Sequence, residues 1–342
     1  MIGRKTIGLL GTALLATAIS LPAKAADFEF KDKQVKIVIG FGVGGTYGKY
    51  AQMFADHMKK YIPGEPTIIV ESRPGAGGLT ALNYVGNAMV ADGYNYFVPP
   101  DTTAIVQLMQ PEKAKYDARK FHWIGTANQT NVIVVVRTDT GVKKWEDLRN
   151  TEVPMGNTGL ASTAYIIPSF VNGVLGTKMK IVSGYKGSAK VGLAVDQGEV
   201  RGAAFNWLFW KSGFERWFTK ENAFAVPVLQ VGYFKDPDLA DVPMMQDVAD
   251  PKYKPMVNFI GTLGLIGRGL AAPAGTPAPA VAVMRAAWEK MVADPAFLAD
   301  AKKRKLRIIA SSGEEVQKAV NDALDNAKPE VVAAASKIVY GK

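Results

Sequence analysis

Apolar, β-branched runs alternate along this chain with segments of helical period, and turns of glycine and hydroxyl residues join them. That grammar constrains the fold most strongly, because it belongs to α/β proteins built from strand, turn and helix repeats with parallel strands. Residues 35–39 read as the first strand, and 50–62 carry Ala51, Phe54, Met58 and Tyr61 at helical spacing. Strands follow at 67–71 and 94–98, with a glycine turn at 74–78 and a helix to about residue 90 between them. The run 131–136 is a strand long enough to cross between domains. A second block repeats the theme: a strand before the loop 156–163, a helix to residue 175, a strand and loop around 179–189, and a strand at 201–207. The stretch "TLGLIGRGLAAPAGTPAPA" reads as a return strand before a proline-rich helix entry. Val281, Met284, Trp288 and Met291 share one face of the helix 279–292. The closing helix opens on a capping box, Ser312 with Glu315, and runs through Val316, Val320, Leu324 and Val331. With 342 residues, 48% of them hydrophobic, the chain is long enough for two cores.

The start of the chain, "MIGRKTIGLLGTALLATAISLPAKAAD", has Arg4 and Lys5, a short apolar run and the small-x-small site Ala23-Lys24-Ala25. This pattern predicts a signal peptide over 1–25; the apolar run falls short of the roughly 20 residues that span a bilayer. Removing Arg4, Lys5 and Lys24 takes the formal charge from +10 to +7. The longest basic block is "KKRK" at 302–305, and export argues against nucleic acid as a partner. Cysteine is absent, and His57 and His122 are the only histidines. Thiolate chemistry is excluded, a zinc site or hydrolase triad has little to work with, and no cofactor or enzymatic activity is expected.

Four turns share one design: "GFGVGGTYG", "RPGAGG", "GNTGLAST" and "GYKGSA". Each places free backbone N–H groups and a helix start at a strand end, ready for an anion. The first contains Gly40, Gly42 and Gly45, which satisfy G-x-G-x-x-G, and Glu71 stands 26 residues beyond Gly45. A dinucleotide-binding oxidoreductase is therefore one reading. Arg73-Pro74 directly after Glu71, and a second glycine cluster where the adenosine would lie, speak against it. A third reading is that these glycines only permit tight turns.

The same residues resemble the solute receptors of tripartite tricarboxylate transporters, the Bug receptors. That family shows a turn ending G-G-[ST], then E-N-R-P-G-A-G-G, then A-x-P-D-G-Y; here Gly44-Gly45-Thr46, residues 71–78 and residues 91–94 stand in those places. "YKGSA", "DVP" at 241–243 and "LAAPAGTP" at 270–277 follow in family order. The resemblance implies a type II periplasmic binding protein fold: two α/β lobes joined by a two-strand hinge, lobe 1 from 26–128 and 262–342, lobe 2 from 129–261. It also implies a monomer in the periplasm that captures a small carboxylate and passes it to integral membrane transporter subunits. A ligand sensor for a signalling kinase would carry the same lobes.

Carried over, the first-lobe contacts are Phe41, Gly42, Gly45, Thr46 and Tyr47. Those of the second lobe are Thr158, Gly159, Ala161, Ser162 and Thr163, then Tyr185, Lys186, Gly187 and Ser188. Two departures stand out: Gly48 replaces an acidic residue common after the first turn, and Asn206 stands where the family commonly has Asp. Losing two carboxylates reduces repulsion toward an anion. Asn206 lies in the cluster "FNWLFW" at 205–210, a stripe that is either core or cleft wall, with Trp207 the foremost cleft candidate. A di- or tricarboxylate and an aromatic acid both remain open as ligands. Arg73 has two readings, a carboxylate contact or a partner for Glu71.

Overall fold

The computed structural model describes residues 28–219 and 221–341; the expected signal segment 1–25 lies outside them. Eleven strands form two sheets among the described residues. In chain order they are β1 (Gln34–Ile39), β2 (Thr67–Ser72), β3 (Asn95–Val98), β4 (His122–Thr126), β5 (Val132–Arg137), β6 (Val153–Gly156), β7 (Met179–Val182), β8 (Gly202–Asn206), β9 (Ala225–Val231), β10 (Gly269–Ala272) and β11 (Ser311–Ser312). The first sheet has the order β11-β4-β10-β3-β1-β2 and the second β7-β6-β8-β5-β9. The chain passes between them twice, between β4 and β5 and between β9 and β10, giving a two-lobed α/β molecule.

The sheets are mixed, not wholly parallel. β1 pairs in parallel with β2 and β3, and β6 with β7 and β8. β10 and β11 run antiparallel to β4, and β5 runs antiparallel to β8 and β9. Each return from the other lobe adds a strand of opposite sense. The run 131–136 does not cross between lobes: β5 lies wholly in the second sheet, and the crossing precedes it at 127–131. "TLGLI" is helical rather than extended, over Leu263–Ile266, and the return strand begins only after Gly267 at φ +60°. The Ser312–Glu315 capping box forms as expected, but its helix ends at Asp325. Pro329, which cannot continue a helix, starts a separate one, Pro329–Tyr340. That last helix bridges the sheets. Tyr340 stacks on Tyr165 at 5.9 Å and donates to the Leu160 carbonyl, while the Ser336 hydroxyl donates to the Met109 carbonyl at 3.0 Å.

Val281, Met284, Trp288 and Met291 are buried together in the core of the first lobe, beside Tyr50 and Phe54 of the helix Thr46–Met58. Another apolar cluster is continuous across both sheets, joining Val38 and Phe97 to Val134 and Met155.

Between the lobes runs a seam in which glycines face each other. The Gly42 N–H donates to the Lys186 carbonyl at 3.2 Å, and the Gly77 N–H to the Thr158 carbonyl at 3.0 Å. A Cβ on Gly77 would lie 2.4 Å from the Ser162 nitrogen, and one on Gly159 2.4 Å from the Gly77 nitrogen. Only glycine allows two backbones so close. Salt bridges extend the seam: Arg307 grips the fully buried Asp236 through two bonds of 2.9 and 3.1 Å and also reaches Asp238 at 2.7 Å.

Gly45 allows a clean test, because its φ of −85° suits alanine while a Cβ would meet the Ser188 Oγ at 2.6 Å across the seam. Gly45→Ala is expected to turn the Ser188 hydroxyl aside and loosen the seam, read as a lower melting temperature, and adding Ser188→Ala is expected to restore it. An unchanged melting temperature in the single variant would show that the closed form does not depend on this contact. Arg307→Ala strands a buried carboxylate and should cost about 3–5 kcal/mol in urea denaturation, part of it recovered by Asp236→Asn in the same chain.

Candidate functional site

The strand ends of both lobes converge on one enclosed cavity. Its lining comprises Phe41, Thr46, Tyr47, Asp101, Thr102 and Arg268 from the first lobe, and Thr158, Ser162, Thr163, Ser188, Phe205, Asn206 and Phe209 from the second. The free space is about 30 Å³, room for one or two waters, so a larger ligand enters only when the seam parts.

Helix starts supply much of this wall. Thr46, Thr163 and Ser188 are the first residues of the helices Thr46–Met58, Thr163–Leu175 and Ser188–Gln197, and none of the three has a side-chain cap. Their leading N–H groups and helix dipoles therefore favour negative charge nearby. Ser162 occupies the cap position, yet its hydroxyl donates to the Gly159 carbonyl at 2.8 Å instead of accepting from the helix. Asn206 does cap: its Oδ1 accepts from the Phe209 N–H at 2.9 Å.

The charged centre is Arg268, 2% exposed, entering β10 directly after Gly267. Its Nε donates to the Thr46 Oγ1 at 3.0 Å, its Nη1 to Asp101 and to the Gly267 carbonyl, and its plane lies 3.8 Å above the Tyr47 ring centre. Tyr47 in turn stacks on Phe41 at 4.5 Å and accepts the Asp101 N–H at 2.9 Å. Burial pushes the Asp101 carboxyl above the usual carboxylate range against the pull of Arg268. Burial likewise raises the Tyr47 phenol, so it stays protonated. Two groups are unspent: the Thr102 and Thr158 hydroxyls are buried and unpartnered, one from each lobe. Buried hydroxyls without partners are costly, so their presence in one cavity marks a place for an acceptor.

Of the residues expected from sequence, Phe41, Thr46, Tyr47, Thr158, Ser162, Thr163, Ser188 and Asn206 line this cavity. Gly42, Gly45, Gly159, Ala161 and Gly187 lie on the seam. Tyr185 and Lys186 line an adjoining recess with Pro74 and Gly75, which shares Phe41 and Thr158 with the cavity. Trp207 turns away, with its Nε1 donating to Asp238 at 3.0 Å and its ring against Phe218; Phe205 and Phe209 form the aromatic wall instead. Arg73 pairs with Glu71 and lies over Tyr84, outside the cavity. Asp101, Thr102 and Arg268 were not expected, while Phe205 and Phe209 come from the aromatic stripe that the sequence left open as core or cleft wall. "PPDTTA" at 99–104 is a fifth turn of the same design and could have yielded two of them; nothing local marks Arg268.

The nucleotide reading of the first loop is sterically disfavoured. Residues 186–188 of the other lobe pack where a pyrophosphate would approach, and Glu71 is engaged by Lys36 at 3.0 Å and by Arg73.

The comparisons agree with this architecture. The family model described as "Tripartite tricarboxylate transporter family receptor" matches residues 51–335. A UPF0065 protein of Bordetella bronchiseptica is 24% identical over 322 residues, covering 91% of this chain and 87% of the relative. Among solved structures, the periplasmic binding protein BugD superposes with a TM-score of 0.70 at 20% identity, covering 88% of this chain and 97% of that one. MatC from Rhodopseudomonas palustris, solved with malate, gives 0.68 at 20%, covering 87% and 98%. An R. palustris protein solved with adipate gives 0.69 at 20%, covering 89% and 97%. These are solute-binding proteins, not enzymes, and this chain belongs to the tripartite tricarboxylate transporter receptor family.

Proposed function

We propose that the protein is a periplasmic receptor that closes around a small carboxylate and presents it to the integral membrane subunits of a tripartite tricarboxylate-type transporter. The observation that carries this reading is the meeting, in one buried cavity, of Arg268 with two unpartnered hydroxyls from opposite lobes, Thr102 and Thr158. A carboxylate oxygen satisfies both hydroxyls only when the lobes are together, so binding and closure are one event. Helix starts from both sides add to the attraction. The relatives solved with malate and adipate support a carboxylate as the ligand class. In this reading residues 26–128 and 262–342 move as one lobe and 129–261 as the other, the chain acts as a monomer once 1–25 is removed, and no nucleic acid takes part.

Thermal shift of the mature protein against mono-, di- and tricarboxylates, aromatic acids, an amine and a neutral sugar tests the class, since a ligand of the folded form stabilises it by mass action. At least one acid is expected to raise the melting temperature. A shift with the amine or sugar alone would overturn the proposal. Thr158→Val keeps the shape and removes the hydroxyl. Its affinity for the bound acid should fall about tenfold or more, because a hydrogen bond to a charged group contributes about 1.5–3 kcal/mol. The unliganded variant should be as stable as the parent or more so, since the lost hydroxyl had no partner.

A further inference from the structure

The cavity carries two ionisable side chains of opposite sign, Arg268 and Asp101, and the Tyr47 phenol between them is neutral. Their formal charges cancel. What remains to attract an anion is the set of uncapped helix starts at Thr46, Thr163 and Ser188, each equivalent to about half an elementary charge. Three such ends offset one carboxylate far better than two or three. A second carboxylate in this space would exceed the positive charge these helix ends supply and would face Asp101 at close range, which a low-dielectric interior penalises heavily.

The rest of the wall has another character. Phe205 and Phe209 meet edge to face at 5.0 Å in the second lobe, and Phe41 lies opposite on the first, backed by Tyr47. Asn206 spends its Oδ1 on the Phe209 N–H, so toward a ligand it presents only its amide N–H groups. A flat apolar body fits between such rings. Resting on the carboxylate reading above, we propose that the cleft takes an aromatic or similarly flat monocarboxylate, and that Asp101 is the specificity residue that rejects di- and tricarboxylates.

In this arrangement the ligand carboxylate lies beside Arg268 and takes the Thr102 and Thr158 hydroxyls as the lobes close, while its ring packs between Phe41 and the Phe205–Phe209 pair. Asp101 both holds the guanidinium in place and fills its remaining capacity for negative charge.

The test is calorimetric titration of the mature protein with benzoate, succinate and citrate, on the parent and on Asp101→Asn. The parent is expected to bind benzoate more tightly than either polyacid by roughly tenfold or more. Asp101→Asn should move the succinate-to-benzoate ratio toward succinate by a similar factor. A loss of folding stability alone would weaken both ligands together and leave that ratio unchanged. Phe209→Ala, which leaves the charged cluster intact, should weaken benzoate and spare acetate, and it keeps the question open to experiment if Asp101→Asn does not fold. Tighter binding of succinate or citrate by the parent would overturn this proposal and leave the carboxylate receptor standing. An unchanged ratio in a folded Asp101→Asn protein would remove Asp101 from the role. Failure of every acid, with binding of an amine or sugar, would instead overturn the receptor reading itself.

Discussion

Closing two lobes at their strand ends places like partial charges in opposition. The helix starts at Thr46 on one side and Thr163 and Ser188 on the other all present N–H groups to the same small space, and Arg268 sits at its floor. Left alone, that arrangement opposes its own closure. Asp101 relieves part of it by pairing with Arg268, and the seam contacts through glycine backbones and Arg307 contribute the rest of the closing force. An anion at the centre completes the balance. In the proposed function, ligand binding and lobe closure are thus coupled by electrostatics before any specific side chain is considered.

The seam also answers what the glycines of "GFGVGG" and "RPGAGG" are for. Locally they obey the same rules as a nucleotide loop: a strand ends, the chain turns, a helix begins. The difference lies in what stands opposite. In this molecule Gly42 meets Lys186 and Gly77 meets Thr158, main chain to main chain. A glycine fingerprint therefore reports close approach of some backbone or ligand, and only the tertiary partner decides which.

Much of the site was legible in the sequence because strand-to-helix turns are short-range features, governed by residues within a few positions of each other. Thr46, Thr158, Ser162 and Ser188 followed from that rule. Arg268 did not, since it enters an antiparallel strand that joins the sheet only after a complete passage through the other lobe. Its partners Thr46 and Asp101 lie 222 and 167 residues away. The mixed sheets escaped for the same reason: β4 and β9 owe their places to long-range pairing and carry weak local signals. The break before Pro329 was local and readable, and a single helix across it conflicts with proline chemistry. Trp207 was misplaced by one residue of register. It begins a helix instead of ending a strand, and that rotation sends its ring to Asp238 while Phe205 and Phe209 face inward.

Asp101 gives the site its individual character. A lone buried arginine would attract any anion and hold the most highly charged one best. Pairing it with a carboxylate converts a strong charge into an oriented set of N–H donors, fixed by Thr46 Oγ1, the Gly267 carbonyl and the Tyr47 ring. Such a donor set can recognise the geometry of one carboxylate without rewarding further charge. Under the monocarboxylate proposal, selectivity then passes to the apolar wall formed by Phe41, Phe205 and Phe209. Asn206 in place of an acidic side chain fits the same logic: the carboxylate in the cavity lining is the one whose position beside Arg268 makes it discriminating instead of merely repulsive.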